Sequence, residues 1–202
     1  MCSSDLEGDG AWLAGGILAR ARQVPSGNCD ARPEGARVRL LVIHNITLPP
    51  GRFGGPFIEQ LFTNKLDPRA HASFQALEGL RVSAHFLIRR GGTLVQFVPC
   101  DERAWHAGVS SWQGQARCND FSIGVELEGT DDCPYTLVQY RQLARLTLQI
   151  RQRYPIEGIA GHCDIAPDRK TDPGAAFDWH DYRSRVSRLC KGNSAQTSLI
   201  YR

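Results

Sequence analysis

The sequence predicts an α/β fold of the α+β type, in which helices flank a mixed central β-sheet. Segments with the apolar pattern of strands alternate with segments that have the apolar spacing of helices along most of the 202 residues. Their order is strand, helix, hairpin, strand, long helix, strand and helix. This order predicts helices packed on a mixed sheet.

The first half of the chain begins with a strand at residues 38–43, whose nearly continuous apolar run is typical of a strand buried on both faces. The run stops at His44, so this histidine is predicted to lie at a strand end. A short amphipathic helix is predicted next, with Pro56 in its first turn. Residues 82–99 alternate around a Gly-Gly turn, which predicts a hairpin.

The second half contains a strand with two carboxylates on one face. In the sequence FSIGVELEG, residues 121–129, apolar side chains occupy alternate positions, so Glu126 and Glu128 project together from the other face. A Thr-x-x-Gln capping box then opens a long helix. A brief strand at residues 156–160 leads into GHCDIAPDRKTDPG, which is too rich in proline and glycine to be a helix, and Asp178 can cap a last helix.

Composition and charge exclude several classes of function. The 24 Lys and Arg against 21 Asp and Glu leave a net charge of +3, and no basic run suggests a nucleic-acid surface. No apolar run reaches the roughly 18 to 20 residues that span a bilayer, and the first ten residues are acidic, unlike a secretory signal. We therefore expect a cytoplasmic protein that acts on neither nucleic acid nor membranes, and we expect a monomer.

The chain divides into an acidic N-terminal extension at residues 1–10, one domain at residues 11–190 and a loose C-terminal tail at residues 191–202. The seven cysteines are odd in number and include no C-x-x-C pair. This usage favours free thiols in a reducing compartment.

Three residues from distant parts of the chain form a candidate metal site. His44 and His162 each follow a predicted strand, so both imidazoles can emerge at one sheet edge, and Asp172 lies on a loop that can fold back to the same point. Two histidines and one carboxylate suit Zn²⁺, because three protein ligands leave a fourth tetrahedral position for water. Glu126 could move a proton from water to a leaving nitrogen, and Lys170 could stabilise a negative oxygen. A histidine after a strand is more often simply packed, so the spacing alone does not decide whether these residues form a metal site.

Four long blocks of the sequence, in order, resemble the AmpD family of cytoplasmic anhydro-N-acetylmuramoyl-L-alanine amidases, within the amidase-2 and peptidoglycan-recognition-protein superfamily. The blocks are VIHNITLPPGRFGG, VSAHFLIRRGGTLVQFV, RAWHAGVSSWQGQARCNDFSIGVELEGTDDCPYT and GHCDIAPDRKTDPGAAFDW, and the similarity runs from about Trp12 to Leu189. The resemblance implies a zinc amidase domain at residues 11–190. Its substrate would be a small muropeptide, cut between the lactyl group of anhydromuramic acid and L-alanine in cell-wall recycling.

The resemblance also implies roles for single positions. The zinc ligands of the family match His44, His162 and Asp172, and its catalytic glutamate and lysine match Glu126 and Lys170. The family contacts its substrate at three further positions, which match Asn45, Arg81 and Arg117. We also predict that His106 lines the substrate cleft, with plain packing as the alternative.

Other interpretations stay open from the sequence. Glu128 shares a face with Glu126 and could be the base instead. Cys163 beside His162 suggests a cysteine hydrolase, although neighbours on extended chain point to opposite sides. An enzyme of this family could act on intact peptidoglycan, or the domain could bind peptidoglycan without cleaving it. The complete set of ligand positions disfavours the binding module.

Overall fold

The computed structural model describes residues 11–190 and 199–201, and its centre is a seven-stranded mixed sheet. In chain order the strands are β1 (Arg22–Gln23), β2 (Leu40–Ile46), β3 (Phe86–Ile88), β4 (Leu94–Gln96), β5 (Ser122–Glu128), β6 (Gly158–Gly161) and β7 (Ile200–Tyr201). Across the sheet the order is β7-β6-β2-β5-β3-β4-β1, and all neighbours are parallel except β3 and β4. The predicted fold class is confirmed.

Helices and short ladders surround this sheet. The α-helices in the described part of the chain are α1 (Phe57–Phe62), α2 (Leu137–Arg153), α3 (His162–Ile165) and α4 (Trp179–Cys190). Two-stranded ladders join Trp12–Leu13 to Ile17–Leu18, Cys29–Ala31 to Glu102–Ala104, and Ser111–Trp112 to Gln115–Ala116. Single 3₁₀ segments lie at Ala14–Gly16, Ala72–Leu77 and Cys118–Asp120. Within residues 11–190 and 199–201, no helix has the length and apolar character needed to cross a membrane.

Side-chain alternation gives the two faces of the sheet different environments. On β5, Ile123, Val125 and Leu127 enter a core that also contains buried side chains of α2 and α4. Glu126 and Glu128 project from the opposite face, as predicted. A second apolar cluster packs α1 against β3 and β4 on that opposite face. The polar ends of β2 and β5 therefore lie on the face away from the long helix.

The predicted long helix begins as its sequence indicates. The side chain of Thr136 accepts a hydrogen bond from the N–H of Gln139 (3.1 Å), and the Gln139 side chain accepts one from the N–H of Thr136 (3.1 Å). This is the predicted capping box. The Asp178 cap is also present, because its carboxylate accepts from the N–H of Asp181 (2.9 Å) at the start of α4. The six cysteines in the described residues are free thiols, as predicted.

Two local predictions are wrong. The first strand continues past its predicted end, so His44 lies inside β2, because parallel pairing with β5 extends to Ile46 opposite Glu128. The segment predicted not to be helical begins with one helical turn, α3. There the carboxylate of Asp164 accepts a hydrogen bond from the N–H of Gly161 (2.7 Å), which stabilises the turn.

The predicted division of the chain into extension, domain and tail stays a prediction. Residues 1–10, 191–198 and 202 lie outside the described residues. Within the predicted loose tail, residues 200–201 instead form the edge strand β7, which pairs with β6. A strand forms there because the exposed edge of β6 offers free backbone groups for pairing. The predicted hairpin is present but shorter, with three paired residues on each strand.

Candidate metal centre and active site

Two adjacent strands, one helical turn and one loop bring the predicted metal ligands together. His44 on β2 and Glu126 on β5 lie directly opposite each other in the parallel register. β6 flanks β2 on its other side, and His162 follows at the end of β6. The loop after α3 returns to this point, where the N–H of Cys163 donates to the carbonyl oxygen of Asp172 (2.9 Å).

The three ligand atoms form a small triangle. Nδ1 of His44 lies 3.0 Å from Nδ1 of His162 and 3.0 Å from Oδ2 of Asp172, and the remaining side is 3.1 Å. Nε2 of His162 faces the carbonyl oxygen of Ala107 (3.1 Å), which can only accept, so in the neutral imidazole the proton is on Nε2 and Nδ1 is bare. Zinc ligands at about 2.0 to 2.1 Å in a tetrahedron are about 3.3 Å apart. The donor set and its spacing therefore fit one such ion, and these residues form a group that could hold a metal.

Burial and proximity shift the pKa values of His44 and Asp172 toward the charge states that a metal needs. Burial lowers the pKa of His44 to about 4, so its imidazole is neutral near pH 7. Burial alone would raise the pKa of Asp172, but the adjoining imidazoles of His162 and His44 lower it well below its usual range. A metal ligated by two imidazole nitrogens and one carboxylate would keep a net positive charge, because such ligands contribute a single negative charge.

Glu126 is a buried carboxyl with an unpartnered oxygen. Its side chain is 8% exposed, and Oε2 has no hydrogen-bond partner among the described residues. Burial raises the pKa of Glu126 well above its usual range, the negative charge of Asp172 adds to this rise, and the positive charge of Lys170 opposes it. An orphaned, perturbed carboxyl of this kind is typical of a functional site.

The neighbouring Glu128 has the opposite character. One of its oxygens accepts hydrogen bonds from Nη1 of Arg89 (3.0 Å) and the N–H of Gly54 (2.7 Å), and the other accepts from the N–H of Arg90 (3.0 Å). These bonds tie the segment before α1 and the hairpin to β5. Because both oxygens of Glu128 are occupied, the structure favours Glu126 as the proton acceptor.

Lys170 and Cys163 flank the candidate centre. Lys170 is exposed on the loop before Asp172, and its positive charge lowers the pKa of both Glu126 and His44. Burial raises the pKa of the Cys163 thiol, so the thiolate needed by a cysteine hydrolase is scarce near pH 7. Cys163 lies in the helical turn α3 and not on extended chain, so protonation, not strand geometry, disfavours that alternative.

The residues predicted to contact the substrate are not part of the triangle of ligand atoms. The amide of Asn45 donates to Asp131 (2.7 Å) and to the carbonyl oxygen of Pro173 (3.1 Å), which anchors the loop beside the candidate ligand at position 172. Arg117 is largely exposed and pairs with Asp120 (3.1 Å). Arg81 is exposed and lines a cleft of about 190 Å³ beside α1. Substrate binding by these residues stays a prediction.

His106 lies directly behind the candidate centre. Its Nδ1 is 2.9 Å from Nε2 of His44, and its Nε2 is 3.1 Å from Oγ of Ser122. Both ring nitrogens are therefore used within the protein, which leaves only a ring face or edge for the predicted substrate contact. Sequence reasoning missed the contact with His44, because no spacing pattern relates residues 62 positions apart.

A buried triangle of two imidazoles and one carboxylate, beside an unpartnered glutamate on an α+β fold, defines a candidate metal-dependent hydrolase. The family model of N-acetylmuramoyl-L-alanine amidase, Amidase_2, matches residues 34–175. Over 174 residues the chain is 59% identical to the 1,6-anhydro-N-acetylmuramyl-L-alanine amidase AmpD of Citrobacter freundii, covering 85% of this chain and 93% of the relative. The chain belongs to the amidase-2 family of N-acetylmuramoyl-L-alanine amidases.

Solved structures agree with this assignment. A crystal structure of a selenomethionine AmpD derivative matches with a TM-score of 0.85 at 59% identity and covers 87% of this chain and 99% of its own. The amidase AmiD from E. coli, in complex with the substrate anhydro-N-acetylmuramic acid-L-Ala-D-gamma-Glu-L-Lys, matches with a TM-score of 0.54 at 31% identity, over 76% of this chain and 60% of its own. The resemblance to the AmpD family is confirmed.

Proposed function

We propose that this protein is a zinc-dependent N-acetylmuramoyl-L-alanine amidase that hydrolyses 1,6-anhydromuropeptides in cytoplasmic peptidoglycan recycling. The observation that carries the proposal is the convergence of three ligand atoms, from His44, His162 and Asp172, within 4.8 Å of one another. The substrate class is supported by the AmpD relative, whose name specifies the anhydro sugar, and by the AmiD complex with an anhydromuramyl peptide. The cytoplasmic location and the monomeric state stay predictions.

The donor set of this centre fits zinc better than a hard cation. Imidazole nitrogen suits Zn²⁺, whereas Mg²⁺ and Ca²⁺ prefer ligand sets made of oxygen. When bound, Zn²⁺ would supply a Lewis acid that polarises the scissile carbonyl and increases the acidity of water. His44, His162 and Asp172 would hold it.

Glu126 would carry the proton through the reaction. Its carboxylate accepts a proton from the attacking water, whose oxygen forms a bond with the lactyl carbonyl carbon. The same carboxyl then donates that proton to the alanine nitrogen as the carbon–nitrogen bond breaks. The raised pKa of Glu126 suits this double role, because it brings the carboxyl closer to a working pH near neutrality.

Lys170 would stabilise the oxygen that becomes negative in the tetrahedral intermediate. Its ammonium is exposed, so it is available to a bound substrate, and its positive charge lowers the pKa of Glu126 and His44. A positive charge near the developing oxyanion is worth more in the transition state than in the ground state. Lys170 should therefore affect kcat more than KM.

Two exposed arginines and one amide would recognise the peptide part of the substrate. A guanidinium can form two parallel hydrogen bonds with a carboxylate, and a stem peptide carries several carboxylates. Arg81 and Arg117 are the candidates for this pairing, and Asn45 could contact the substrate beside the centre. His106 could add a contact through its ring face.

The test is the release of peptide from a defined muropeptide. Purified protein with zinc is incubated with anhydromuramyl tripeptide, and free tripeptide is measured by mass spectrometry, with Glu126→Gln as the matched inactive control. The same assay with reduced, non-anhydro muropeptides and with intact peptidoglycan measures specificity. Preferred cleavage of intact peptidoglycan would contradict the anhydromuropeptide assignment. Zinc binding without peptide release from any substrate would instead indicate a binding module.

A further inference from the structure

One short segment of the chain contacts the outer nitrogens of both candidate histidine ligands. Nδ1 of His106 lies 2.9 Å from Nε2 of His44. The carbonyl oxygen of the next residue, Ala107, lies 3.1 Å from Nε2 of His162. Two consecutive residues outside the sheet therefore contact both imidazoles on the side away from the triangle of ligand atoms.

The hydrogen bonds around this segment fix where each proton lies. Oγ of Ser122 donates its single proton to the carbonyl oxygen of Cys118 (2.6 Å), so it must accept from Nε2 of His106 (3.1 Å). A neutral His106 then has a bare Nδ1, which accepts the proton on Nε2 of His44. The carbonyl oxygen of Ala107 requires the same tautomer of His162. Both candidate ligands consequently present a bare Nδ1 to the centre.

Two neighbours hold the segment in place. Oδ1 of Asn119 accepts hydrogen bonds from the N–H of His106 (3.1 Å) and from the N–H of Ala107 (2.8 Å). The His106 ring also packs closely on β5, where a Cβ added at Gly124 would lie 2.5 Å from Cγ of His106. The ring thus occupies space that a glycine leaves free on the same strand as Glu126.

We propose that His106 and Ala107 are positioning residues, which hold His44 and His162 in the Nε2-protonated tautomer so that both Nδ1 lone pairs face the metal. The inference rests on the proposed zinc centre. An imidazole with its proton on Nδ1 cannot offer that nitrogen to a cation. Partners of this kind typically change metal affinity by about 10- to 100-fold. His106 acts through His44 and does not itself touch the ion.

Zinc affinity tests the proposal without any activity measurement. Competition with a chelating dye should show that His106→Ala raises the zinc Kd by about 10- to 100-fold. His106→Asn should recover part of this loss, because its side-chain oxygen can accept from Nε2 of His44. Ser122→Ala should weaken zinc binding, because His106 can then move its proton to Nδ1 and no longer accept from His44. The loss should be smaller than in His106→Ala, since the accepting tautomer of His106 is still available. In Ser122→Ala, the carbonyl oxygen of Cys118 still accepts a hydrogen bond from the N–H of Phe121 (3.2 Å).

A matched control separates this role from general damage to the core. Ser26→Ala also removes a buried hydroxyl that donates to a backbone carbonyl, that of Phe62, and accepts from a backbone N–H, that of Asn28. It should leave the zinc Kd within about twofold of wild type. Far-ultraviolet circular dichroism and thermal melts of the zinc-free variants check that each one folds.

Nitrogen-15 spectra of the imidazole rings give a second readout. In the zinc-loaded wild type, two-bond correlations should show His106 neutral, with its proton on Nε2 and an accepting Nδ1. A His106→Ala variant that is folded and binds zinc as tightly as wild type would overturn the inference, as would a His106 ring protonated on Nδ1. Zinc binding without amidase activity would overturn only the proposed function. A wild type that binds no zinc would overturn both.

Discussion

Replacing Glu126 by glutamine should remove most of the activity and, in the zinc-free protein, stabilise the fold at alkaline pH. The reason is that the side chain is buried, its Oε2 has no hydrogen-bond partner among the described residues, and the nearby Asp172 repels its negative charge. Glutamine has nearly the same shape but no charge. The substitution therefore removes the proton carrier and the cost of the buried charge together.

The sign of the pH dependence follows from the raised pKa of Glu126. A carboxyl whose pKa is higher in the folded than in the unfolded chain binds its proton more tightly when folded. Its contribution to stability is present below the unfolded pKa, about 4.3 for glutamate. This contribution is lost as the pH rises from that value through the folded pKa. Glutamine does not titrate, so the gain in the free energy of unfolding from Glu126→Gln should be small at pH 4 and largest at pH 8.

Other groups titrate in part of this range but are common to both proteins. Burial lowers the pKa of His44 to about 4, so its contribution to stability is present above the unfolded histidine value and is lost as the pH falls toward 4. The lowered pKa of Asp172 acts in the same direction at more acidic pH. Subtracting the wild-type curve from the variant curve removes most of both effects.

The expected magnitude comes from the charge, because glutamine keeps a buried polar group at this position and loses only the negative charge; one unit of pKa change corresponds to about 1.4 kcal/mol, and burial raises the pKa of Glu126 well above its usual range. We expect Glu126→Gln to raise the free energy of unfolding by about 1.4 kcal/mol or more at pH 8. Glu128→Gln is the matched control on the same face of the same strand. It should lower the free energy of unfolding by about 1.5 to 3 kcal/mol, because three donors, from Arg89, Gly54 and Arg90, lose a charged acceptor.

Urea unfolding of the zinc-free proteins at pH 4, 6 and 8 measures these differences, and peptide release measures the activity. Loss of the general base should lower kcat/KM by about 10²- to 10⁴-fold while zinc remains bound. A stability difference that does not change with pH, or a variant less stable than wild type at pH 8, would refute the assignment of a costly buried charge. Activity near that of wild type would refute the catalytic role.

Three further predictions follow from the same structure. Lys170→Ala should lower kcat with little change in KM, since the oxyanion exists only along the reaction path, and steady-state kinetics showing a change confined to KM would contradict this role. Removing metal with a chelator should abolish activity, and added zinc should restore it; a chelator without effect would contradict the metal centre. Zinc at about 1,000 times its Kd should also raise the free energy of unfolding by about 4 kcal/mol, which thermal melts at increasing zinc concentration measure. Thr136→Ala should remove the cap of α2 and cost about 1 kcal/mol, or about 2 to 4 °C in Tm, at unchanged activity, and an unchanged Tm would show that the cap contributes nothing.

Local sequence patterns were sufficient for most of the secondary structure. The alternation of Ile123, Val125 and Leu127 places two glutamates on one face of β5, and the Thr136 capping box marks the start of α2. These features depend on near neighbours along the chain, which the sequence displays. The end of β2 was predicted too early because its continuation past His44 depends on pairing with β5, a strand distant in sequence.

The sequence by itself determined the fold class and, through its resemblance to a family, the candidate ligands and the candidate base. The tertiary structure decided the burial and the hydrogen-bond partners that distinguish these candidates from similar residues nearby. Glu126 and Glu128 have the same local pattern, yet Glu128 bonds to Arg89 and the segment before α1, while Glu126 has an orphaned oxygen. The link from His106 to His44 likewise exists only after folding. Strand alternation is a property of neighbouring residues, whereas burial, hydrogen-bond partners and proton positions depend on which distant segments pack together.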